Sequence, residues 1–137
     1  MGYDELKISK LISEIETYFQ DLSQLKLKKE DLYEKKTFYS VSMILFQLIN
    51  RAINLGEEIV AEKKLGSPEK YKDIFYYLYR AKIIDSRVEQ SFFRLVHLRN
   101  IIAHQYDDFN ESDLFNAISD LESIKSLVKL TKKIISF

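Results

Sequence analysis

The chain contains two histidines and no cysteine, so imidazole chemistry rests on His97 and His104 alone and thiol chemistry has no group to use. Both stand in one segment, Arg94-Leu95-Val96-His97-Leu98-Arg99-Asn100-Ile101-Ile102-Ala103-His104-Gln105-Tyr106, where cations, an amide and a phenol gather on an apolar frame. Histidine titrates near neutrality and arginine forks onto phosphate oxygens. On a regular helix Asn100 and His104 are one turn apart, close enough for the amide to orient the imidazole. Arg99 and His104 differ by roughly 140° around the axis, so a joint site within this pattern needs a helix break or a second chain. A metal site is not expected, because His97 and His104 are two turns apart and zinc wants a denser ligand set. The plainer reading of the same residues is a favourable charge at a helix carboxyl end beside a solvated arginine.

The chain around this segment reads as helix. Leu6, Ile8, Leu11, Ile12, Ile15, Phe19, Leu22 and Leu25 recur at three- and four-residue spacings, the period of an amphipathic helix. Lys26 to Lys36 is charged, too polar for the core, and should hold a break. From Phe38 to Lys64 apolar residues cover more than one face, which predicts the most buried helix. Lys63-Lys64-Leu65-Gly66 should stop it, with Gly66 as the left-handed cap, and Ser67-Pro68 should start the next. A short helix then carries Tyr71, Ile74, Phe75, Leu78 and Tyr79. Asp85 caps a helix with Val88, Phe92, Leu95, Val96, Leu98, Ile101 and Ile102, and Asn110 with Asp113 forms a variant capping box before a last helix running to Ile134. The expected fold class is all-α: an up-and-down helical bundle of four long helices plus one short helix.

Composition narrows the function classes. At 137 residues, 46% hydrophobic and 31% charged, the chain should fold as one domain over residues 1–137. Three glycines and one proline are too few for a small β-sandwich or a Gly-rich nucleotide loop. Basic and acidic residues balance at 21 each, so any nucleic-acid contact must come from a local cluster. The longest apolar stretch, Val41 to Ile49, is too short to span a bilayer, and Met1-Gly2-Tyr3-Asp4-Glu5 lacks the order of a signal peptide. No membrane association and a cytoplasmic location are expected.

Arg99-Asn100-Ile101-Ile102-Ala103-His104-Gln105-Tyr106 reads R-N-x-x-x-H-x-Y and resembles the signature of HEPN-domain proteins of the HepT-like branch. Earlier segments agree in order: Ala52 to Val60, Leu65-Gly66-Ser67-Pro68-Glu69-Lys70-Tyr71, Ile74-Phe75, Leu78 and Ala81-Lys82-Ile83-Ile84. The resemblance runs from about Tyr39 to the carboxyl end. Ala103 departs from the larger aliphatic residue common before the histidine, and every polar motif position is kept.

The resemblance implies a homodimeric helical ribonuclease toxin, paired with a small MNT-type nucleotidyltransferase antitoxin of the HepT/MntA kind. It implies Arg99 and His104 as the catalytic pair acting on RNA, Asn100 as a supporting residue, and Tyr106 as the residue that receives AMP. No cofactor is implied. The reaction, attack by the RNA's own 2′-OH, needs a base, an acid and positive charge on the phosphate, all available without a metal. One chain offers His104 once, and a two-fold dimer would place two copies about one groove. The alternative is a noncatalytic nucleotide-binding or scaffold subunit of a two-component nucleotidyltransferase.

Other polar residues are less decided. His97 could line the same groove but falls outside the motif. Gln47, Asn50, Asn54 and Glu57 or Glu58 form a polar stripe that should face the site or a dimer seam, since buried polar groups need partners. Lys26, Lys28, Lys29, Lys35 and Lys36, interspersed with Glu30, Asp31 and Glu34, should form a solvated linker.

Overall fold

Asp4 begins the first helix by accepting the Lys7 backbone N–H at 3.1 Å, which satisfies one of the donors that a helix start leaves free. The computed structural model describes residues 4–104 and 109–135. Helix α1 (Glu5–Gln24) buries Ile8, Leu11, Ile12 and Ile15, the stripe expected from the spacing. Lys26, at φ 47°, turns the chain out of it. A short 3₁₀ turn, Lys29–Tyr33, follows, with the Asp31 carboxylate accepting the Lys28 N–H at 2.8 Å. The five lysines of this stretch are exposed as expected, but the stretch is not wholly outside the core. Leu32 is fully buried, because the 3₁₀ turn folds its one strongly apolar side chain under α2 and the later helices.

Helix α2 (Lys35–Glu62) is the longest and most buried, with Val41, Leu45, Leu48, Ile49, Ala52, Ile53, Leu55, Ile59 and Val60 out of solvent. It starts before Phe38 because Glu34 accepts both the Phe38 N–H at 3.0 Å and the Thr37 hydroxyl. At its other end the left-handed residue is Lys64, at φ 52°, not Gly66. The Leu65 N–H reaches back to the Val60 carbonyl at 3.0 Å, the six-to-one bond that closes such a helix end. Gly66 is needed for a different reason: a Cβ there would lie 2.5 Å from the Tyr77 ring.

Helix α3 (Tyr71–Arg80) begins later than Ser67-Pro68 would place it. Asp73 organises the start by accepting the N–H groups of Glu69 at 3.0 Å and Lys70 at 3.1 Å. Helix α4 (Ser86–His104) is capped by Asp85, which accepts the Val88 N–H at 2.9 Å as expected. The Asn110–Asp113 box is present in both directions, at 3.0 Å each, ahead of α5 (Glu111–Asp120). The single last helix expected from the sequence is divided at Leu121, whose N–H bonds to Ile118 at 3.2 Å in 3₁₀ fashion before α6 (Glu122–Ile135) resumes. The break leaves Leu121 buried, so the apolar period runs through it unmarked.

No strand occurs among the described residues, and the helices form a bundle around α2. Helices α1, α3, α4 and α6 all pack on it. Phe75 of α3 stacks on Phe92 of α4 with centroids 4.0 Å apart and planes 7° apart, fixing those helices side by side. Gly56 lets α3 approach α2: a Cβ there would meet the Ile74 Cγ2 at 2.8 Å. That methyl sits on a stiff β-branched carbon, so relief requires α3 to move.

Gly56→Ala gains about 1 kcal/mol in helix propensity and loses about 1–3 kcal/mol to overpacking. The expected net result is a lower urea midpoint, checked by equilibrium unfolding. A raised midpoint would show that α3 shifts freely over α2.

Candidate active site

Near its carboxyl end α4 passes beside the middle of α2 and the start of α3, and Arg99 is held at that junction. Its Nε donates to the Asn50 Oδ1 of α2 at 2.8 Å. Its Nη1 donates to the neighbouring Asn100 Oδ1 at 3.2 Å. The guanidinium carbon lies 4.9 Å from the Tyr71 ring centre and 5.3 Å from that of Phe46, both within cation–π range. Among the described residues no carboxylate forms an ion pair with Arg99. The groups that fix its position among the described residues are neutral.

A groove of about 660 Å³ runs along this junction, lined by Glu69, Lys70, Tyr71, Lys72, Val96, Arg99, Asn100 and His104. His104 is the last residue of α4 and is exposed. Arg99 and His104 therefore border one groove within one chain, on a helix that is unbroken between them. Both residues border one groove without a helix break or a second copy, which the angular separation alone was expected to require. Asn100 lies between them in angle, but its amide oxygen turns to Arg99, and no hydrogen bond joins it to His104 among the described residues. The groove has Lys70 and Lys72 against Glu69, so cations outnumber anions along its walls. Such a site suits an anionic, phosphate-bearing chain. Tyr106 lies outside the described residues.

A model of a protein family described as ribonuclease HepT-like matches residues 8–134. The chain belongs to the HepT-like ribonuclease family. Among curated proteins none matches its sequence. Solved structures share the fold. YutE from Bacillus subtilis, a cytosolic protein of unknown function, matches with TM-score 0.83 and 18% identity over 96% of this chain and 90% of that one. A tyrosine-to-alanine mutant of the toxin–antitoxin MntA–HpeT matches with TM-score 0.81 and 21% identity over 93% and 98% of the two chains. The tri-AMPylated Shewanella oneidensis HEPN toxin in complex with MNT antitoxin matches with TM-score 0.65 and 24% identity over 93% and 92%.

In this HepT-like chain His97 does not line the Arg99 groove. It is exposed in a second groove of about 500 Å³ between α4 and α5, with Arg94, Asp113, Asn116 and Asp120. There Asp120 takes Arg94 in a fork, at 2.8 and 3.0 Å, and this hydrogen-bonded carboxylate raises the arginine pKa further. The polar stripe of α2 also divides. Asn50 goes to Arg99, Gln47 to Arg51, and Glu58 to Lys7 of α1 at 3.3 Å, while Asn54 is exposed. Periodicity alone treats Phe46 and Tyr71 as ordinary apolar positions. The signal that could have singled them out is local: Phe46 stands one turn before Asn50, and Tyr71 stands between two lysines.

On the face of α4 that carries Val96 and Asn100, but nearer its start, Glu89 is 6% exposed, and burial raises its pKa above the ordinary carboxylate range. A raised acid pKa in the folded state means that the folded protein binds the proton more tightly than the unfolded chain. The penalty is absent below the unfolded pKa and grows as pH rises through the folded one. Glu89→Gln should raise the thermal midpoint at pH 7 to 8 and leave it unchanged at pH 3.5. An equal shift at both pH values would show that the carboxylate is not penalised.

Proposed function

We propose that the chain is the toxin of a toxin–antitoxin pair, a metal-independent endoribonuclease of residues 1–137 acting in the cytoplasm. The observation that carries this reading is the shared groove of Arg99 and His104, with no carboxylate paired to the arginine among the described residues. Family membership supports the ribonuclease class. Solved structures of the same fold, a toxin–antitoxin complex and a HEPN toxin bound to an MNT antitoxin, support an MNT-type nucleotidyltransferase as the antitoxin partner.

In the proposed reaction the 2′-oxygen of one ribose attacks the adjacent phosphorus and the bond to the 5′-oxygen breaks. The products are a 2′,3′-cyclic phosphate and a free 5′-hydroxyl. One proton leaves the attacking hydroxyl and another reaches the departing oxygen. His104 performs one of these transfers, and His104 of a second copy in a homodimer performs the other. Arg99 forks onto the non-bridging oxygens, where negative charge grows in the transition state. Asn100 supports Arg99 through its amide oxygen. Lys70 and Lys72 attract the flanking phosphates.

Arg99→Ala and His104→Ala, each folded, should lose RNA cleavage by about 10²- to 10⁴-fold when assayed in chelator. His97→Ala, in the other groove, should cleave like wild type. Full cleavage by either folded site mutant removes the assigned site, and activity that chelator abolishes and a divalent ion restores points to metal chemistry.

Silencing is assigned to Tyr106, two residues after His104. An AMP attached there adds bulk and a phosphate charge beside the cations that RNA must meet. Tyr106→Phe removes the acceptor oxygen and keeps the ring. The variant should still cleave RNA and should gain no AMP mass after incubation with the transferase, ATP and magnesium. An undiminished mass increment in that variant, or none in wild type, defeats the assignment.

A further inference from the structure

We propose that Asn50 is a positioning residue for Arg99 and decides which edge of its guanidinium meets the phosphate. The inference rests on the ribonuclease reading above for its kinetic consequence, but the contact itself does not. A guanidinium carries five N–H donors in a rigid planar fork and no acceptor. Only the oxygen of the Asn50 amide can therefore face it, and that oxygen takes the single hydrogen on Nε at 2.8 Å. Asn100 takes one hydrogen of Nη1 at 3.2 Å. Among the described residues the second hydrogen on Nη1 and both on Nη2 remain without a partner. The side edge formed by Nε and Nη2 is closed at Nε, so a phosphate meets the Nη end of the fork.

The aromatic rings make this orientation hard to leave. Tyr71 at 4.9 Å and Phe46 at 5.3 Å lie within cation–π range of the guanidinium, and among the described residues only Asn50 holds Nε. Asn50 is half-buried on α2, whereas Arg99 is on α4, so rigid elements hold the contact from both sides. Neutrality matters as much as position. An aspartate at this point would hold Nε equally well and would also cancel the charge that the phosphate needs.

The test separates orientation from charge. Asn50→Ala keeps the arginine charge and frees its plane. It should lower kcat for RNA cleavage in chelator about 10- to 100-fold with little change in KM, the pattern of an interaction realised in the transition state. Asn50→Asp keeps the acceptor and neutralises the charge, so KM should rise. In ¹⁵N spectra of the whole protein the Arg99 Nε–H signal, assigned by its absence from Arg99→Lys, should exchange slowly with water in wild type and Asn50→Asp. It should be lost in Asn50→Ala. Should Asn50→Ala fail to fold, the KM rise and retained signal of Asn50→Asp carry the test. The proposal is overturned if the signal persists in folded Asn50→Ala, or if both variants change kcat and KM alike. If wild type does not cleave RNA yet loses the signal only in Asn50→Ala, the ribonuclease reading falls and the positioning contact stands.

Discussion

A 28-residue helix that is apolar on more than one face cannot be left in water, and covering α2 determines where every other helix goes. One amphipathic partner would leave part of its surface wet, so α1, α3, α4 and α6 share it. Close approach on the α3 side depends on Gly56, and the parallel rings of Phe75 and Phe92 then fix α4 beside α3. Those contacts bring the carboxyl end of α4 to the start of α3 with the polar middle of α2 behind them. The groove lies between the start of α3 and the end of α4.

The partners of three arginines separate a structural role from a chemical one. Arg94 is forked by Asp120, which neutralises it and ties α4 to the end of α5. Arg51 has Glu14 at 3.4 Å, Gln47, and the Tyr18 ring at 5.0 Å, and joins α2 to α1. Arg99 has amide oxygens and aromatic faces and no carboxylate among the described residues. Partly removing a guanidinium from water costs free energy, and leaving it without a counter-charge adds to that cost. A fold seeking only stability would place an acid there, as it does at Arg94 and Arg51. Among the described residues the cage around Arg99 is neutral, as the proposed phosphate-binding role requires.

What the sequence made legible was local. Apolar period marked the helices, and the caps at Asp85 and Asn110 were readable because each bond closes within three residues. Errors arose where a local rule had two solutions or a distant contact decided. Glycine is the usual left-handed cap, yet Lys64 took that conformation and Gly66 was kept clear for the Tyr77 ring. Ser67-Pro68 is a good start, yet Asp73 set a later one. The motif placed Arg99, Asn100 and His104 in one segment, but the bond between Arg99 and Asn50 joins residues far apart in the chain. No spacing rule reports that pairing, and the polar stripe hinted only that Asn50 needed a partner.

With Arg99 and His104 bordering one groove in one chain, geometry around the helix no longer argues for a second copy. Reaction geometry still does. In an in-line displacement at phosphorus the attacking and departing oxygens lie on opposite sides of the phosphate, so one imidazole cannot serve both in a single step. General acid and base must approach from two directions. One chain has one motif histidine, and His97 faces the other groove. Under the proposed ribonuclease reading a second imidazole would have to come from another copy, and a two-fold axis beside the groove would supply an identical one without a new residue in the sequence.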